Sequence, residues 1–163
     1  MPDIWHQIAQ CHGRLAYLYE NDNNLTLALE HAQKALNLRL SLIENNNSLA
    51  IKRQLKNSYY HLSYLNGRLG NEDLKYEYRY HEYELKYQII QESTNTDEDL
   101  FSCAEDFLGL AWDYLEEDHV PKAIPCCDLA TKILQAFPPS AIPEETHSYL
   151  DDIIEAINNR SNT

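Results

Sequence analysis

Cys11–Leu38, CHGRLAYLYENDNNLTLALEHAQKALNL, and Asp106–Ile133, DFLGLAWDYLEEDHVPKAIPCCDLATKI, align without a gap. Leu15-Ala16 falls on Leu110-Ala111, Tyr19 on Tyr114, Ala28 on Ala123, Ala32 on Cys127 and Ala35 on Ala130. A weaker copy of the same core lies between them at Leu62-Ser63, so the motif occurs three times at intervals of 47 and 48 residues. Each copy has apolar and small residues at spacings of three and four, which is helical spacing. Self-similarity at such a period is the signature of stacked helical hairpins, in which each unit buries its apolar face only against its neighbours.

The breaks between the stripes mark the helices. Asn21-Asp22-Asn23-Asn24 ends a first helix begun at Pro2 or Asp3 and caps a second, which runs to about Glu44. Asn45-Asn46-Asn47-Ser48 precedes a third, and Gly70-Asn71 closes it. A fourth runs from about Glu72 to Glu92, and Ser93-Thr94-Asn95-Thr96 is a polar turn into a fifth with a capping box. Pro121 lies near the start of a sixth, and Pro125 either kinks its first turn or pushes its start onward. The sixth ends near Phe137, before Pro138-Pro139. A last helix from about Pro143 carries Leu150, Ile153, Ile154 and Ile157 as one stripe, which suits a cap, and Asn158 to Thr163 reads as frayed. The expected fold is all-α, a single domain over 1–163, with repeats at about 4–45, 48–92 and 97–137 and a capping helix at 143–159. Short turns make sequential helices antiparallel.

These residues resemble the tetratricopeptide repeat. Leu15, Ala16 and Tyr19 match its first-helix positions, and Ala28, Ala32 and Ala35 those of its second. Leu110, Ala111, Tyr114, Ala123, Cys127 and Ala130 repeat the match. The period here exceeds the family's basic 34 residues and is similar to the longer repeats of kinesin-light-chain-like and bacterial signalling arrays. In the middle copy Asn66 replaces the tyrosine, and a gapless alignment puts Lys75, Arg79 and Glu82 at packing positions; a one-residue shift is the expectation there. The resemblance implies a right-handed superhelix of three hairpins plus the cap, which binds another protein or peptide in a concave groove, without catalysis or cofactor. The groove would be lined by the first helix of each hairpin. Two positions after the leucine these carry Tyr17, Tyr64 and Trp112, large rings that give contact area at low entropy cost. Arg14, Tyr60, His61, Arg68 and Leu108 complete the candidate partner-binding set, against the alternative that the rings fill space between hairpins. The family's carboxylate clamp is missing: its positions hold Gly13, Tyr17, Tyr60, Tyr64 and Leu108.

Charge narrows the partner. The net charge is −13, with 11 acids and 10 bases in residues 1–96 but 15 acids and 3 bases in residues 97–163. That sign excludes nucleic acid and anionic membrane as partners. The acidic half reads either as a solvated face that keeps the protein soluble or as support for a second reading: a dedicated chaperone or immunity-type protein that masks a toxin or secreted client, its acidic C-terminal half on a basic surface. No apolar run reaches the roughly 20 residues of a membrane span, and the N-terminus has no basic or apolar leader pattern, so a cytoplasmic protein is expected.

Tyr76, Tyr80, Tyr83 and Tyr87 share one helix face. It either packs on a neighbouring hairpin or supports a homodimer through this helix. Cys11, Cys103, Cys126 and Cys127 form no spaced pair, so they read as structural; His119 near Cys126 and Cys127 is the sole hint of a metal. There is no phosphate loop, HExxH or GxSxG, and the expectation is no enzyme, no cofactor and no metal.

Overall fold

The computed structural model describes residues 2–93 and 96–161. Among them are seven α-helices and no strand: α1 Pro2–Asn21, α2 Leu25–Asn45, α3 Leu49–Arg68, α4 Glu72–Glu92, α5 Asp97–Glu116, α6 Val120–Leu134 and α7 Glu144–Ser161, with a short 3₁₀ turn at Pro139–Ala141. The chain is thus an all-α helical repeat protein. Thr94 and Asn95, in the expected turn before α5, lie outside the described residues, as do Asn162 and Thr163. The C-terminal segment, expected to fray from Asn158, stays helical through Ser161. Pro125 leaves the start of α6 at Val120 and sits inside the helix.

The repeat is written most clearly in its turns. Asn23, Gly70 and Asp118 all adopt left-handed backbone, with φ of 57°, 77° and 60°. In each case the next residue's N–H reaches back five residues: Asn24 to the Tyr19 carbonyl at 2.8 Å, Asn71 to that of Asn66 at 2.9 Å, and His119 to that of Tyr114 at 2.7 Å. Three turns of one geometry, spaced like the sequence motif, close the three hairpins as Schellman-type caps. Helix starts are held by side chains: Asn24 Oδ1 accepts from the Leu27 N–H, Ser48 Oγ from that of Ile51, and Thr96 and Asp99 cap each other.

The described residues form two compact units, Met1–Ile89 and Ile90–Thr163. In the first, α2 packs on both α1 and α3. Ala16, Ala28, Ala32, Leu36, Leu55, Leu62, Leu65 and Leu85 lie in its core. The α3–α4 contact is more polar. Ser63 Oγ donates to the Lys75 carbonyl at 2.8 Å and receives Arg79 Nε at 3.4 Å, while the Lys75 stem fills the space Gly67 leaves open. The Glu82 side chain is 12% exposed. The Gly70 turn keeps the gapless spacing, so the one-residue shift expected in the middle copy does not occur, but the Lys75 and Arg79 side chains stay 30% and 36% exposed and Tyr76 beside them is buried. Gly67, where a larger residue would block the Lys75 stem, and the hydroxyl of Ser63 let charged side chains stand where the other copies have alanine or cysteine.

In the second unit α5 packs on α6, and α7 touches both. Cys103, Phe107, Leu108, Leu110, Ala111, Tyr114, Ala123, Cys126, Ala130, Leu134 and Ile153 are buried. Ile154, expected on the packed stripe of α7, is 39% exposed. Ile153, expected on the same stripe, is fully buried.

Candidate functional site

A cavity of about 240 Å³ opens on the first unit. Gln10, Gly13, Arg14 and Tyr17 of α1 form one wall; Gln54, Asn57, Ser58 and His61 of α3 form the other; Ala32, Ala35 and Arg39 of α2 form the floor. The helical phase of each element explains the set. Gly13 and Tyr17, like Asn57 and His61, are one turn apart on a common face, as are Ala32 and Ala35.

Tyr17 stacks on the His61 imidazole, with centroids 4.0 Å apart and planes inclined by 8°. His61 is 5% exposed, and its Nε2 lies 2.6 Å from Glu20 Oε2. The carboxylate orients the imidazole, and the imidazole holds the phenol ring. Tyr17 remains 51% exposed, so a large ring is presented to solvent in a fixed pose. Burial raises the Tyr17 hydroxyl above its ordinary pKa, Glu20 adds to this and Arg39 opposes it.

Arg39 rises from the floor. Its Nη1 donates to Ser58 Oγ, whose own hydrogen goes to the Gln54 carbonyl at 3.2 Å. Its Nε is buried without a partner, and so is Gln54 Oε1. Burial pulls the guanidinium below its ordinary pKa, opposed by Tyr17. A Cβ on Gly13 would stand 3.4 Å from Arg39 Nη2, so the glycine keeps the space before the guanidinium open. Chemically, the cavity offers a half-buried cation, a rigid aromatic lip and two alanine patches.

Of the residues singled out from the sequence, Arg14, Tyr17 and His61 come together here. Tyr60 is on α3 and 50% exposed. Tyr64 and Arg68 line a separate hollow of about 290 Å³ with Ser63, Gly67, Lys75 and Arg79. There Arg68 donates to the Tyr64 hydroxyl at 3.0 Å and to Asn23 Oδ1 at 3.1 Å. Trp112 belongs to the second unit, where its indole N–H donates to Glu116 at 3.0 Å and its ring lies 6.3 Å from that of Tyr149.

Leu108 requires a correction: it is fully buried and lines no surface. Thr146 of α7 donates to Glu105 at 3.1 Å, three residues before it, and Tyr149 of α7 meets Trp112, four residues after it. All three α5 residues share one helix face, and α7 covers it. Arg39 and Gln54 were not in the candidate set. The signal for Arg39 lay in the repeat itself, since the gapless alignment puts it on Leu134, a residue buried in the second unit.

On α4, Tyr76 is buried and Tyr80, Tyr83 and Tyr87 are half-buried, with Arg79 donating to the Tyr83 hydroxyl at 3.2 Å. Tyr78 faces α2 and α3, donating to Gln33 at 2.9 Å and lying 6.1 Å from the Tyr59 ring. Cys103, Cys126 and Cys127 are buried and Cys11 is exposed. Burial raises the Cys127 thiol pKa, which keeps it protonated. Among the described residues no group of three or more histidine, cysteine or carboxylate side chains is placed to hold a metal. No described helix is long and apolar enough to cross a membrane.

Comparison of the sequence with protein-family models and with curated proteins gave no match. Among solved structures, the crystal structure of a de novo designed helical repeat protein is similar, with a TM-score of 0.48 and 14% identity over 99% of this chain and 81% of that one.

Proposed function

We propose that this helical repeat chain is an interaction module of the tetratricopeptide type, and that it holds a peptide or helical segment of another protein against the cavity face of its first unit. The observation that carries this reading is Tyr17: a large ring, half exposed, immobilised on His61 at the mouth of a cavity. An exposed aromatic stacked on a buried imidazole gives contact area with little further entropy cost on binding. Arg14 lies beside it as a rim charge able to set the orientation of a partner.

The test is affinity capture from native lysate with the full chain, comparing wild type, Tyr17→Ala and Gly13→Leu, with circular dichroism to verify folding. A partner held by wild type and lost by both folded variants supports the reading. Retention by both variants sinks it.

The charge distribution favours a second reading. Residues 90–163 hold 16 acids and 3 bases, while residues 1–89 hold 10 of each. A basic client, as a masking chaperone would have, would bind the second unit. Its binding would weaken steeply between low and physiological salt, whereas burial of an aromatic side chain would not.

A further inference from the structure

We infer that the first-unit cavity is a carboxylate receptor, in which Arg39 takes an acidic group of a bound peptide. This deepens the interaction reading above and rests on it.

Four observations converge. First, the Arg39 guanidinium is half-buried and its charge is unanswered. Ser58 supplies a neutral hydroxyl, and Glu20, the carboxylate beside the cavity, is taken by His61 at 2.6 Å. Burying a cation is costly unless it is paired, so the site is poised for an anion. Second, Nε has no partner while Nη1 is occupied. A buried donor is therefore left unanswered, and Nη2 faces the space above Gly13. Nε and one Nη form the edge that a carboxylate meets in a two-point contact. Third, the second unit shows what the same positions look like when they serve packing alone. Leu108 stands for Gly13 and Leu134 for Arg39, and both leucines are buried. The first unit departs at both positions at once, one change opening space and the other placing a cation in it. Fourth, the remaining surroundings suit a short amino-acid side chain. Ala32 and Ala35 border an aliphatic stem, and Gln54 Oε1 is a second buried, unpartnered polar atom in the wall. Arg39 is on α2 and lies outside the clamp positions of the family that the sequence resembles.

The carboxylate can come from an aspartate or glutamate side chain or from a chain terminus. The full-length protein, ¹⁵N-labelled, is titrated with acetyl-glutamate amide (side-chain acid only), acetyl-alanine (terminal acid only) and acetyl-glutamine amide (no acid), and the arginine Nε–Hε signals are followed. Arg39 is assigned by its absence from Arg39→Leu. The expected result is a saturable shift of the Arg39 signal with at least one acid, none with the glutamine compound, and at least tenfold weaker binding to Arg39→Leu. Arg39→Lys keeps the charge without the two-point edge and should bind several-fold more weakly than wild type. The acid that binds more tightly identifies the source. Equal binding of the glutamine compound, or no saturable shift with either acid, overturns the inference.

Peptides displayed at random and selected on wild type separate this from the interaction reading. If Gly13→Leu and Tyr17→Ala abolish their binding but Arg39→Leu does not, the surface stands and the carboxylate receptor falls. If they carry a required acid and depend on Arg39, both stand.

Discussion

The α1–α2 and α5–α6 hairpins share turn geometry and small packing residues, yet differ at the point where a helical repeat either packs or binds. In α5–α6, Leu108 and Leu134 close the interior. In α1–α2, Gly13 and Arg39 leave it open and charged. The units differ in charge as well: 10 acids and 10 bases in residues 1–89, against 16 and 3 in residues 90–163. The contrast teaches that a repeat can keep its backbone and exchange its contents. The alanines at 28, 32 and 35 and their partners at 123, 127 and 130 set how closely two helices approach, while positions 13 and 39 are where the copies diverge.

The strongest way to break this comparison is to exchange the divergent residues. Leu134→Arg should destabilise the protein by about 3–5 kcal/mol, because it leaves a cation unpaired where a buried leucine packs. Urea unfolding measures this, and a loss below about 1 kcal/mol would show that the second interior is as permissive as the first. The turns give a middle-sized test. Gly70→Ala should cost about 1 kcal/mol, since alanine resists a φ of 77°. Asp118→Gly should stabilise by up to about 1 kcal/mol, since glycine adopts a φ of 60° without a Cβ clash. The reciprocal exchange, Arg39→Leu, should change stability by no more than about 1 kcal/mol, because the loss of an unpartnered buried donor offsets the lost Ser58 contact.

The smallest effect sharpens the electrostatic side. His12 and His31 Nδ1 atoms lie 2.8 Å apart in the first unit, so a proton shared between the rings leaves no room for both to be charged. Burial, then His31 and Lys34, lower the His12 pKa, with Glu30 opposing. The folded state thus resists protonation more than the unfolded chain does. The stability this contributes is fully present above the ordinary histidine value of about 6.5 and is lost as pH falls through it towards the lower folded value. Thermal unfolding at pH 7.5 and 5.5 should therefore show a drop that shrinks in His12→Gln. An equal drop in the variant would assign the pH dependence elsewhere.

Much of the fold was legible in the sequence because hairpin signals are local. Asparagine runs, Gly70 and the capping box at Thr96 fall where the helices end or begin. The middle register was not legible, because Lys75, Arg79 and Glu82 look like surface residues and only the clearance at Gly67 explains their place. At the site, Arg14, Tyr17 and His61 could be read from repeat phase. Leu108 could not: its burial depends on α7, which meets α5 from elsewhere in the chain. Arg39 was visible only as an arginine aligned with a leucine, a signal that gains meaning once Leu134 is known to be buried.

The three left-handed turns also bear on how quickly the molecule forms. Each joins two helices through a few residues, and the helix pairs in contact within each unit are neighbours or next neighbours along the chain. Little loop-closure entropy separates one packing event from the next, which places such a topology among fast folders, on the microsecond-to-millisecond scale. During synthesis, α1 and α2 can close on each other while α5 is still unmade, so the cavity floor and its first wall take shape early. The charged interior of the first unit would then be sheltered well before the acidic residues of the second have emerged.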